Sequence, residues 1–493
     1  MNEQSSFERL VADQLANVGM GMPPESAIED TISRAGATRR DPRWLAMLKE
    51  SPMRTNSRLA VGSPTARVAA VMLATLLLAV VLAAVGVAGQ RLLAADATIV
   101  VDQSGAGDYT TIAEAVAAAG DGDEILIKPG TYDESVVISA DIHLRGEDRD
   151  GDIVRSGIGC AFEDDAEETL TCPGALPRYE QLWFGPQPYG FVLDRTEAVV
   201  SDLTMEIGVG AGIIARGGAP AVQRITYLPT DGDGSVYVHD GSAAVISDSD
   251  FADAWVLFEE RSPATIERST FGAVVVNTDN TNRFGGPAWV RDNVTTGISF
   301  NGETVVTGNE LTAPTDEVME ESKWGQGIDV HAGDGFVIEG NTVTGFDAAS
   351  GIVVEAGRGN ISDNELSGNR TGIAVLRSAV LVEGNTLSGN RTGIGLARAN
   401  PTVAGNTLIG NTVGINAGVS SPLIRDNVVD GGEHGITLSG DAHVVGNTVE
   451  SASVRGIEIV GDSEASLRDN RSRGNGEDLW VAGTANPNID VSN

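Results

Sequence analysis

Cysteine, lysine and histidine are all scarce in this chain of 493 residues. Only two cysteines occur, Cys160 and Cys172. In an oxidising compartment they would close a small loop as a disulfide, and a metal site would need further ligands nearby. Basic residues number 33 against 69 acidic ones, a formal net charge of −36, and only three of the 33 are lysine. All of that negative charge lies after Arg67, which excludes nucleic acid and anionic lipid as ligands of the larger part. The same field repels polyuronates unless calcium bridges the charges. Between Gly327 and Leu479 there is no tryptophan or tyrosine. The arginine-over-lysine bias, with abundant Ala, Gly and Val, fits a high-GC bacterial genome.

What is abundant is repetition. The octapeptide LSGNRTGI occurs as Leu366–Ile373 and again as Leu387–Ile394. Gly-Ile pairs begin at Gly351, Gly372, Gly393, Gly414, Gly435 and Gly456, a constant step of 21 residues. An asparagine column runs in parallel through Asn341, Asn364, Asn385, Asn406, Asn427, Asn447 and Asn470. Three residues before each Asn stands an aliphatic residue, from Ile338 to Leu467. Short β-branched runs between Gly, Asn and Asp turns are strand signals, and a period near 21 residues means a solenoid. A leucine-rich repeat is excluded, because each period holds only one or two leucines. Two or three brief strands per period fit one coil of a parallel β-helix, with coils about 4.8 Å apart. Stacking then sets Ile, Val and Leu columns inside and lets the Asn column hydrogen-bond along the bends. The sequons at Asn369 and Asn390 are by-products of this repeat.

Residues Val68 to Gly89 form an uncharged apolar run of 22 residues, long enough to span a bilayer as one transmembrane helix. It follows a long polar segment, unlike a secretory signal peptide. Arg39, Arg40, Arg43, Lys49, Arg54, Arg58 and Arg67 precede it, which places residues 1–67 in the cytoplasm and the remainder outside. The expected organisation is a partly helical segment 1–67, a span 68–89, a linker 90–97, a β-helix 98–481 and a tail 482–493. Insertions interrupt the β-helix at 160–190, 277–293 and 310–327.

The segment IVVDQSGAGDYTTIAEAVAAAGDGDEILIKPGTYDESVVI, Ile99–Ile138, resembles the entry of the pectate-lyase-like right-handed β-helix superfamily. The matching points are Asp102 through Tyr109, a helix over Thr111–Ala119, Gly122-Asp123, and Pro129-Gly130-Thr131-Tyr132. The resemblance covers about Ala97 to Val481 and implies an all-β, right-handed parallel β-helix of about a dozen coils, with an N-terminal capping helix. Such a helix covers core and strand edges that would otherwise aggregate. The fold hosts lyases, hydrolases, esterases, epimerases and non-catalytic proteins, so it does not fix the reaction. The opening is most similar to pectin methylesterases, whose later catalytic motifs are missing. Copper-maturation β-helix proteins are also similar, but the five scattered histidines form no copper-rich cluster. Asn277-Thr278-Asp279 resembles a polygalacturonase element. The next coil ends, Gly302-Glu303 and Val330-His331-Ala332, depart from that family's pattern, and its Arg-Ile-Lys element is missing.

Aligned on the Gly-Ile strand, one outward column reads Asp194, Arg216, His239, Glu259, Asn277, Asn301, His331 and Glu355. It then turns bland as Leu376, Ala397, Gly418, Ser439 and Val460. The insertions and Trp183, Trp255, Trp289 and Trp324 fall in the ionisable half. Loops on a rigid scaffold commonly carry function, and aromatic faces beside hydrogen-bonding groups suit sugar rings. Asp329 and Glu355 lie on successive coils, as do His331 and Glu355, roughly 5–7 Å apart by strand spacing, near the carboxylate separation of a retaining glycosidase. They are the expected catalytic residues, with Asp279 and Glu303 as runners-up. The other column members and the four tryptophans are expected to bind substrate. No metal site is expected; calcium at Asp240, Glu259 and Glu260 has no motif behind it. The expectation is a membrane-anchored, extracytoplasmic, monomeric β-helix that binds a carbohydrate and hydrolyses or eliminates it. The alternative is a non-catalytic surface scaffold that contacts another protein.

Overall fold

The computed structural model describes residues 98–490, apart from 157–160, 164–165, 172–177, 180–186, 209, 229–234, 260–261, 277–286 and 315–324. The expectations for 1–67, 68–89 and 90–97, for Cys160 and Cys172, and for Trp183, Glu260, Asn277, Asp279 and Trp324 fall outside these residues. Among the described residues, no helix is long and apolar enough to cross a membrane. All of them belong to one compact unit, Ala94–Asn493.

The chain winds into a right-handed parallel β-solenoid of about 15 turns, more than the dozen expected. The surplus is one sheet 1 strand at each end of the column read from the sequence, Val136–Ile138 and Glu477–Val481. Three parallel sheets run the length of the unit. Sheet 1 holds the Gly-Ile strands, from Val136–Ile138 to Glu477–Val481. Sheet 2 holds the strands before the Asn bend, from Thr98–Val101 to Asn488–Asp490. Sheet 3 holds those after it, from Gly130–Asp133 to Arg471–Arg473. The last sheet 2 strand pairs with Ser466–Arg468, so regular structure reaches Asp490, beyond residue 481.

Identical heights carry identical residues. Ile352, Ile373, Ile394, Ile415 and Ile436 pair one above the next and are fully buried. Each such side chain contributes roughly 1.5–3 kcal/mol of burial. The glycine before each Ile is set by coil-to-coil approach. A Cβ on Gly393 would lie 2.6 Å from both the Gly414 carbonyl oxygen and Leu408 Cδ2.

The Asn column forms a continuous ladder. Asn293, Asn309, Asn341, Asn364, Asn385, Asn406, Asn427 and Asn447 each donate from Nδ2 to the next Oδ1, ending at Asn470, at 2.9–3.0 Å. Each buried amide also satisfies backbone groups, as burial demands. A second ladder joins Asn369, Asn390 and Asn411. The residue before each rung of the long ladder has positive φ and is Gly or Asp, as in Asp363, Gly384, Gly405 and Asp426.

N-terminal to Asn293 the bend changes chemistry. Ser249 and Ser269 replace the amides in two coils, Ser269 Oγ accepting from the Ser249 N–H, and Leu203 and Ile225 stand there in the two coils before. The preceding positive-φ residues become Asp202, Arg224, Asp248 and Arg268. They alternate in sign up the stack, with Arg224 paired to Asp202 at 2.6 Å and Arg268 to Asp248 at 2.8 Å.

The expected capping helix is present as α1, Ile112–Ala118. Thr111 Oγ1 accepts from the Glu114 N–H, and the Glu134 carboxylate accepts from the N–H groups of Ile112 and Ala113. Ile112 and Ala115 enter the core and close its first coil.

Candidate functional site

Side chains alternate across a strand, so the outer face of sheet 1 shows two columns. The one further from the Gly-Ile start is the ionisable column read from the sequence. Register confirms Asp194 beside Arg216 and Arg216 beside His239. These first members are engaged within the protein. Arg216 lies 3.7 Å from Asp194 and 3.3 Å from Asp240, and Arg195 lies 3.1 Å from Asp240. Asp240 is therefore already held by two guanidinium groups, and His239 is buried.

The nearer column is apolar in these coils: Val192, Ile214, Tyr237, Leu257 and Val275 stack in register. Val192, Ile214, Tyr237 and Leu257 join Tyr189 and Ala211 in a small second core outside the solenoid, with Trp255 packed against it. Trp255 thus has a packing role on sheet 1. Trp289 stands on sheet 2, between Thr265 and Val305, and does not share that face.

Further along, the nearer column turns polar at Ser299 and Asp329, which are register partners. Here the sheet is also irregular. Phe300 pairs with Val330 but Asn301 pairs with Ala332, so His331 is the extra residue of a β-bulge. Equal spacing had placed Asn301 beside His331; the bulge slips the register by one. Bulges of this kind re-aim a side chain. The bulge sets His331 between two carboxylates from adjacent coils. Its Nε2 lies 3.4 Å from Asp329 Oδ2, and its Nδ1 lies 3.6 Å from Glu355 Oε2. One atom from each of the three lies within 4.8 Å of the others. The three residues singled out by coil spacing therefore converge. Glu303, the runner-up, is on the exposed turn after Asn301.

Electrostatically, Asp329 is the unusual member. It is 8% exposed, and its Oδ1 has no hydrogen-bond partner among the described residues. Burial pushes its carboxyl up to about 6; His331 pulls it down, and Glu355 pushes it up. A buried, perturbed carboxyl beside an imidazole and a second carboxylate is a recognised mark of functional sites. The trio can move protons, and it can hold a divalent cation through one nitrogen and two oxygens.

The sequence reading passed over a neighbouring cleft of about 320 Å³, which Asp334, Arg358, Arg377, Arg398 and Asn400 help to line. Its arginines stand one residue or more beyond the bland outward column. The signal was the 21-residue step from Arg377 to Arg398.

Among solved structures, the chain is similar to the periplasmic alginate epimerase AlgG, at 16% identity over 71% of this chain and 76% of that one, TM-score 0.34. It is similar to a mannuronic-acid-specific polysaccharide family 6 lyase from human gut microbiota, at 14% identity over 76% and 86%, TM-score 0.41. It is also similar to the catalytic domain of a GH87 α-1,3-glucanase, at 12% identity over 80% and 68%, TM-score 0.32. No curated protein matches the sequence significantly. Residues 238–397 and 281–490 both match the family model described as periplasmic copper-binding protein (NosD). Together these matches span just over half of the chain, bulge and trio included, and the protein belongs to the NosD family.

Proposed function

We propose that this protein is an extracytoplasmic β-helix that binds a polysaccharide on the outer flank of sheet 1. It then carries out acid–base chemistry, hydrolytic or eliminative, at Asp329, His331 and Glu355. The observation that carries the reading is Asp329: a buried carboxyl raised to about 6, with a partnerless Oδ1, against a bulge-presented His331. Asp329 holds one imidazole nitrogen while the other, shared with Glu355, exchanges a proton with the sugar. The rigid coils fix both carboxylates before substrate arrives, so little reorganisation is needed. The family's description as periplasmic supports the extracytoplasmic placement. The apolar run 68–89 supports an anchored monomer facing outward.

The test is a polysaccharide panel with the full-length protein, scored by reducing-end release and by unsaturated-uronate absorbance. His331→Ala and Glu355→Gln are each expected to lower turnover at least ~100-fold, the range for loss of an acid–base group. Activity unchanged in both variants refutes the assignment. No glycan binding by the folded protein would leave the scaffold role instead.

A second reading has its own support, because the trio is a three-ligand set in a family described as copper-binding. One imidazole and two carboxylates suit a divalent ion, Cu²⁺ or Zn²⁺ among them, and the partnerless Asp329 Oδ1 is a donor in need of a partner. The trio contains no sulfur, so it does not suit Cu⁺. Asp329, His331 and Glu355 would hold the ion, which would supply Lewis-acid polarisation of a bound oxygen.

A further inference from the structure

The cleft beside the trio lies in a protein whose net charge is −36, yet three arginines line it: Arg358, Arg377 and Arg398. Among the described residues none of the three has an acidic group within ion-pair distance, although most other arginines of the solenoid do. All three are exposed. Among the described residues that line the cleft, the one acidic group is Asp334, the register partner of Arg358.

The cleft is not round. Asp334, Arg358, Arg377 and Arg398 come from four consecutive coils, so it runs about 14 Å along the solenoid axis. Arg377 and Arg398 stand one directly above the other, as the pairing of Leu376 with Ala397 requires. Their step of about 4.8 Å is comparable to the length of one pyranose unit in an extended chain. Chain geometry also ties the cleft to the trio. Glu355 and Arg358 are separated by Gly357, whose φ is +132° and where a Cβ would lie 2.0 Å from the Gly333 carbonyl oxygen, so no side chain fits there. One coil earlier Gly333 stands between His331 and Asp334, where a Cβ would lie 2.6 Å from the Gly302 carbonyl oxygen.

What occupies such a groove follows from what lines it. Neutral sugars are held chiefly on aromatic faces, and this half of the solenoid has no Trp or Tyr between Gly327 and Leu479. Guanidinium forks match planar carboxylates two hydrogen bonds at a time, which no neutral glycan offers. We infer that this cleft binds an acidic polysaccharide, its uronate carboxylates falling on Arg358, Arg377 and Arg398 as the chain leaves the trio. The inference rests on the proposed function and names its substrate class. It also answers the objection that the protein's overall charge repels polyuronates, because the repulsion is locally reversed. Asp334 faces the same groove and opposes binding at the trio end.

The test uses the full-length protein at low and high salt, with a uronate oligosaccharide, a neutral glucan oligomer and a sulfated oligosaccharide as probes. The uronate is expected to bind, the neutral oligomer not, and the affinity to fall as salt rises. Arg377→Gln with Arg398→Gln is expected to weaken uronate binding at least tenfold with the fold intact by circular dichroism. Asp334→Asn is expected to tighten it. Uronate affinity unchanged in the double variant, or a sulfated or neutral probe bound more tightly than the uronate, overturns the inference. The two readings separate in kinetics. Loss at the cleft raises KM and spares kcat, whereas loss at His331 lowers kcat. If His331→Ala keeps full turnover while the double variant loses binding, the trio assignment fails and the cleft stands.

Discussion

The His331 imidazole stands 3.4 Å from Asp329 Oδ2 across a single intervening residue of one strand. In a regular strand both side chains would project from the same face and stand apart at their own heights. The bulge at His331 brings them together, and Glu355 from the next coil completes the group. The geometry therefore comes from a local fault in an otherwise periodic structure.

Asp329→Asn is expected to stabilise the protein while removing its activity. The folded carboxyl titrates at about 6 and the unfolded one near 3.8, so the folded state binds the proton more tightly. Stability then falls as pH rises from about 4 to about 6, and the cost is fully present above that window. The substitution should restore about 1–3 kcal/mol at pH 7 and nothing below pH 4. Urea unfolding at pH 4, 5.5 and 7.5 checks this; an equal shift at all three contradicts it.

The two halves should open at different acidities. Hydrogen bonds from Arg224 and Arg268 hold the Asp202 and Asp248 carboxyls below the usual range. The stability those pairs contribute is present above about pH 4 and is lost as pH falls through their lowered values. The asparagine ladder does not titrate. Hydrogen exchange at pH 3 is expected to show opening around residues 199–269 while 341–470 stay protected. Uniform protection, or opening first in the asparagine half, would count against it.

Asn385→Ala removes both sides of a rung. Asn385 Nδ2 donates to Asn406 Oδ1, and its Oδ1 accepts from the Asn364 amide, each at 2.9 Å. Stranded buried donors cost roughly 1–3 kcal/mol each, so the loss should reach about 2–4 kcal/mol. Asn470→Ala, at the half-buried end of the ladder, should cost clearly less. Denaturant midpoints for the pair decide it.

Expressed through a eukaryotic secretory pathway, the folded protein should remain unmodified at Asn369 and Asn390. Both side chains are about 2% exposed or less and sit inside a ladder. Intact-mass measurement showing glycans on folded protein would contradict the ladder.

Added Cu²⁺ or Zn²⁺ is expected to bind once at the trio, more weakly below pH 6 as Asp329 takes up a proton, and at least tenfold more weakly in His331→Ala. Calorimetry on both forms is the measurement.

Much of this was readable before the structure, for one physical reason: a solenoid makes equal spacing in sequence equal height in space. Gly-Ile, the Asn column and the placing of Glu355 one coil above Asp329 and His331 all follow from it. Two things broke the correspondence. The bulge adds a residue without adding a coil, so Asn301 and His331 fall out of line. The second apolar cluster also escaped, because outward residues were taken to face solvent. Its signal was present in YGFVL, AGIIA and WVLF, runs without the alternation of a one-sided strand. Trp289 was grouped with Trp255 by chain proximity, whereas the coil turns it onto another sheet.

The close approach at Gly393 and the ladder rungs on either side make adjacent coils nearly interchangeable. Excising residues 366–386 would remove one LSGNRTGI and join Glu365 directly to the other. The rod would shorten by about 4.8 Å, every remaining rung keeping its partner type. Length beyond the trio is thus a free variable of this architecture, set by the number of coils and adjustable in whole units without touching the chemistry at Asp329.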